Sequence, residues 1–122
     1  MLKVELDEDA GIAILEPIDE LSENDFVSVG KIIDPYLEEH GDLKGLIIRV
    51  ESFPGWDSFS SLVAHLKFVK DHHKKIARIA FVTDSAVGNM AEKVAGHFVS
   101  AEIKHFDFDA FPDSRVWIIE AR

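Results

Sequence analysis

The chain has 122 residues, 47% of them hydrophobic and nine of them Phe, which is enough for one core without staples and argues against disorder. It contains no cysteine, which excludes disulfides, thiolate metal sites and cysteine nucleophiles and fits a reducing compartment. A net charge of -10 opposes nonspecific nucleic-acid binding, because a phosphate backbone is repelled overall.

In chain order, Leu2–Leu6 alternates with period two, as a half-buried strand does. A polar turn, Asp7–Gly11, leads to a second apolar run at Ile12–Glu16, so the two runs form an antiparallel hairpin that Pro17 ends. The start of the chain lacks the basic-then-apolar order of a secretion signal. No apolar run approaches the ~20 residues of a membrane span. The expectation is therefore a soluble cytoplasmic protein.

Ser22 caps a first helix, with Asp25 three residues on reaching back as an acidic variant of the capping box. Phe26, Val29, Ile33, Tyr36 and Leu37 give it one apolar face. Pro35 removes a helical hydrogen bond and predicts a kink, and Gly41 closes the helix. Gly45–Val50 reads as an interior strand. Phe53-Pro54-Gly55-Trp56 follows as an aromatic loop, and Asp57 or Ser58 caps a second helix striped with Phe59, Leu62, Val63, Leu66 and Val69.

That helix ends in a basic turn, His72-His73-Lys74-Lys75, where cations suit the negative end of the helix dipole. Ile76–Val82 is the next strand. Asp84 or Ser85 caps a third helix carrying Val87, Met90, Ala91, Val94 and Phe98. Ala101–Phe106 alternates like an outer strand, and a C-terminal helix begins near Pro112 or Asp113. A hairpin followed by repeated αβ units predicts a single layered α/β domain over residues 1–122. Its mixed, mostly parallel sheet has five strands and is covered by four helices.

The charge is unevenly placed. Glu5 to Asp25 holds nine acidic residues and no Lys or Arg, whereas Lys67 to Arg78 holds five basic residues and one Asp. His72 and His73 point about 100° apart on a helix, and His65 lies roughly 10 Å from His72 along the axis, so no metal site forms there. There is no G-x-S-x-G elbow and no Gly-rich phosphate loop. No catalytic constellation and no cofactor site emerge, and the chain is expected not to be an enzyme.

Gly55-Trp56-Asp57, the run His65–Ile76, the strand Arg78–Val82 and the segment Ser100–Phe106 together resemble the SpoIIAA-like family of small bacterial proteins. That family is similar in fold to STAS domains and has been likened to the CRAL-TRIO lipid-transfer fold. The resemblance implies an α/β sandwich with a lipid-binding or regulatory role. Antagonist STAS domains carry a phosphorylatable serine in a D-S-S-G-like loop after the third strand. Here the comparable place reads Trp56-Asp57-Ser58-Phe59-Ser60, which makes Ser58 the candidate phosphoacceptor and departs from the motif by lacking the following S-G.

Phe53 and Trp56 flank a turn at the carboxyl end of a strand, where open α/β sheets usually bind ligands. With Phe68, Lys67 and Lys70 they make a candidate apolar site with a cationic rim. Such a site suits a fatty-acid-like ligand or peripheral contact with an anionic membrane. The main expectation is thus a noncatalytic module that binds a lipid-like ligand. The alternative is a regulatory protein-interaction module, as a homodimer or with a second protein, and with Ser58 as its switch.

Overall fold

The computed structural model describes residues 2–18, 22–51, 75–84 and 101–120. Five strands form one sheet in chain order: β1 (Leu2–Asp7), β2 (Ile12–Pro17), β3 (Leu43–Arg49), β4 (Ile76–Val82) and β5 (Glu102–Phe106). β1 runs antiparallel to β2, with Leu2 opposite Pro17 and Asp7 opposite Ile12. The pairs β2–β3, β3–β4 and β4–β5 are all parallel. The mixed, mostly parallel five-stranded sheet that the sequence predicts is therefore the sheet observed.

The helices differ from expectation in number. Among the described residues there are two α-helices, α1 (Glu23–His40) and α2 (Phe111–Ile119), rather than four. The segments expected to form the second and third helices lie outside the described residues. A short 3-10 turn at Phe108–Ala110, not anticipated from sequence, leads into α2 and starts it at Phe111, just before Pro112.

α1 begins as its sequence dictates. The Asp25 carboxylate accepts the Ser22 N–H at 2.8 Å and the Ser22 hydroxyl at 3.1 Å, so the first turn is tied to the residue that caps it. The helix assignment continues unbroken through Pro35, whose ring is on the exposed side where water can satisfy the carbonyl that proline leaves unpaired. Gly41, at φ 89°, ends the helix by donating its N–H to the Leu37 carbonyl at 2.7 Å.

The sheet is apolar on both faces, as the central strands of a layered α/β protein must be. One face carries Ala13, Leu15, Leu46, Ile48, Ile79 and Phe81 against the Phe26, Val29, Ile33 and Leu37 stripe of α1. The other carries Ile12, Ile14, Ile47, Ala80 and Val82 against Ile118 of α2. α1 lies over β1, while α2 crosses β3, β4 and β5. Gly45 makes the second contact close. A methyl group added there would stand 2.7 and 2.8 Å from Ile118 Cδ1 and Cγ1, and nearer still to Cγ2.

Gly45→Ala should therefore cost about 1–3 kcal/mol, the usual range for overpacking a filled core. Urea unfolding of Gly45→Ala, Ile118→Ala and the double variant measures this. The double variant is expected to lose less than the sum of the two single losses, because shortening Ile118 removes the three atoms that the new methyl meets.

Candidate functional site at the carboxyl edge of the sheet

The four parallel strands finish at Pro17, Arg49, Val82 and Phe106, so the chain leaves the sheet repeatedly along one edge. The exits are bound to one another. Val50 donates to the Val82 carbonyl at 3.0 Å, Asp84 N–H to Glu51 O at 3.1 Å and Thr83 N–H to Phe106 O at 3.0 Å. The buried Thr83 hydroxyl donates to Glu51 O at 3.2 Å, and Asp84 Oδ1 accepts the Phe108 N–H at 3.0 Å. His105 Nε2 lies 2.8 Å from the Thr83 carbonyl, an acceptor only, so this nitrogen carries the proton.

On the face opposite α1, three adjacent strands each present a cation to an aromatic ring: Arg49 at the carboxyl end of β3, Lys104 midway along β5 and Arg78 in the amino-terminal half of β4, opposite Gly45. The Arg49 guanidinium stands 5.0 Å from the Phe108 ring centroid and 4.7 Å from that of Phe111, with Glu16 at 4.0 Å. Arg78 lies 4.7 Å over Trp117, pairs with Glu102 at 3.3 Å and donates to the Trp117 carbonyl. Lys104 Nζ lies 5.1 Å from the Phe106 ring and 6.0 Å from Trp117. Phe106 and Trp117 meet at 5.9 Å in a tilted arrangement. Each such cation–ring contact is worth about 0.5–1 kcal/mol where water has access. Among the described residues the buried Arg49 Nε has no hydrogen-bond partner, so the two rings and Glu16 are what hold this side chain there.

α2 completes the surface. Ile118 and Ser114 face inward and are fully buried, while Val116 is 54% and Ile119 47% exposed. The outer side of the helix thus presents two large apolar side chains beside the exposed Asp113. Arg115 reaches the other way and forms an ion pair with Asp7 at the end of β1, tying α2 to the hairpin.

Of the residues singled out from sequence, Phe53, Trp56, Ser58, Lys67, Phe68, Lys70, His72, His73 and Lys74 lie outside the described residues. Lys75 is exposed, and its carbonyl accepts the Leu43 N–H at 2.8 Å at the amino ends of β3 and β4. It is separated from the carboxyl edge by a seven-residue strand. At ~3.3 Å per residue the separation is roughly 20 Å. Arg49, Arg78, Lys104, Phe106, Phe108, Phe111 and Trp117 were not anticipated as a group. Arg49 carried a signal nonetheless, as the one charged residue in the apolar run Leu46–Val50.

The Arg115 hydrogen bond, helped by the Ala10 N–H, holds the Asp7 carboxyl below its ordinary pKa. A lowered folded-state pKa stabilises the fold fully above the unfolded value of about 3.9, and that contribution is lost as pH falls through the folded value. Asp7→Asn should lose at most about 1 kcal/mol at neutral pH, the scale of a partly exposed pair. The difference from the parent should shrink steadily in urea unfolding performed at successively more acid pH.

No curated protein and no solved structure matches the chain. The family model described as SpoIIAA-like matches residues 12–118, a span that runs from the first residue of β2 to the buried Ile118 of α2. The chain belongs to the SpoIIAA-like family.

Proposed function

We propose that this chain is a noncatalytic regulatory module of the STAS type that works by docking a protein partner on the outer face of α2. The observation that carries the reading is the exposure of Val116 and Ile119 next to the half-buried rings of Phe111 and Trp117. Aromatic residues and arginine are enriched at interface centres, where water is excluded and a few side chains supply most of the energy. Here Arg49 and Arg78 already stand over those rings, so little side-chain freedom is lost on docking.

Family membership supports a regulatory role over a lipid-binding one. Ser58 is the candidate switch within that role: if it begins a helix, as the sequence leads one to expect, a phosphate there would meet free N–H groups. The lipid-like-ligand reading draws on Phe53, Trp56, Lys67, Phe68 and Lys70, and no feature of the described residues favours it. Among the described residues no helix is long and apolar enough to cross a membrane.

Affinity capture from the host with wild-type protein and with a Val116→Glu/Ile119→Glu variant, read by mass spectrometry, tests the proposal. One protein should be enriched by the wild type and reduced at least tenfold by the variant, with the melting temperature changing little because both side chains are exposed. Equal capture by both proteins, or native mass spectrometry showing a retained acyl ligand and no partner, would overturn it.

A further inference from the structure

The sheet ends at β1 on one side and at β5 on the other, and each edge presents backbone groups with no neighbouring strand among the described residues. The charged side chains of the two edges are differently engaged. On β5, Glu102 is held by Arg78 at 3.3 Å, and Lys104 lies over the Phe106 and Trp117 rings. On β1, Lys3 and Glu5 are both exposed and form no close ion pair among the described residues, although Lys3 stands opposite Glu16 of β2 in the ladder. They alternate with Leu2, Val4 and Leu6, which pack on the α1 side of the sheet.

The β1 sequence Leu2-Lys3-Val4-Glu5-Leu6 is its own complement when reversed about Val4. If β1 pairs antiparallel with β1 of a second copy, with the two-fold axis at Val4, Lys3 falls opposite Glu5 twice. Leu2 falls opposite Leu6 twice, and Val4 meets Val4. A closed two-fold contact requires this kind of self-complementarity. The same operation on β5 about Lys104 sets like charge against like, and about Ile103 it makes Glu102, already paired with Arg78, share its carboxylate with a second cation.

We propose that β1 is a self-association edge, and that two copies join through it into a continuous ten-stranded sheet. The inference goes beyond the partner reading at α2 and does not rest on it. A net charge of -10 per copy opposes association at long range. The Debye length of about 8 Å at physiological ionic strength screens most of that repulsion, while directly opposed side chains only about 5 Å apart keep their attraction. One strand buries less than the ~1,000 Å² of a stable interface, so the dimer is weak.

The test is sedimentation velocity on the full chain over a concentration series reaching the millimolar range. Wild type should pass from monomer to dimer. Lys3→Glu and Glu5→Lys each turn two attractive pairs into two repulsive ones, and each should weaken association on the order of tenfold. An equimolar mixture of the two variants, and the doubly reversed Lys3→Glu/Glu5→Lys protein, should recover it, because both restore opposite charges across the axis. Circular dichroism of each variant confirms that the chain is folded. Wild type that stays monomeric throughout overturns the proposal. So does a dimer insensitive to Lys3→Glu and weakened by Lys104→Glu, which would place the contact on β5.

Discussion

The seat of Ile118 on Gly45 governs the second layer of this protein, because the helix can come this near the sheet only where a side chain is missing. With α2 at that distance, Trp117 reaches Arg78, Phe111 reaches Arg49, and Arg115 reaches Asp7. Two strands and the hairpin are thus linked to one short helix. Most of the polar contacts on this face would lengthen together if α2 were lifted by the width of a methyl group. The opposite layer has more latitude, since α1 packs with a broad stripe of five large side chains.

The two faces of the sheet consequently differ in chemistry. The α1 face is closed by hydrocarbon alone along its stripe, with a buried Tyr36 hydroxyl near the hairpin turn as its polar margin. The α2 face combines a small apolar centre with cations stacked on rings. A guanidinium laid on an aromatic ring keeps its charge while giving up part of its hydration, which leaves a surface both sticky and polar. The docking role proposed for this face draws on that combination, since polar groups beside apolar ones let an interface discriminate among partners.

The sheet could be read from sequence because its signals are local and repeated. Alternation in Leu2–Leu6, short apolar runs at Gly45–Val50 and Ile76–Val82, and the Ser22–Asp25 cap each fix one element without reference to the others. The surface of cations and rings beneath α2 could not be read in the same way. Arg49, Arg78 and Lys104 are scattered along the chain, and only the parallel register places their strands side by side. Phe108 and Phe111 were legible as apolar residues of the C-terminal segment, but the 3-10 turn that aims them at Arg49 has no strong sequence mark. Lys75, the last residue of the basic turn, enters β4 at the amino end of the sheet, as a residue between a helix and the next parallel strand is expected to.

The hairpin turn has a position that its modest length conceals. Asp7 is gripped by Arg115 from one layer, and the Glu8 carbonyl accepts the Tyr36 hydroxyl at 3.4 Å from the other. Neighbouring residues therefore act as a rivet through the sheet, with one helix fastened to each head. Any tug on the C-terminal helix reaches the long N-terminal one across a single peptide unit, without passing through the strands between them.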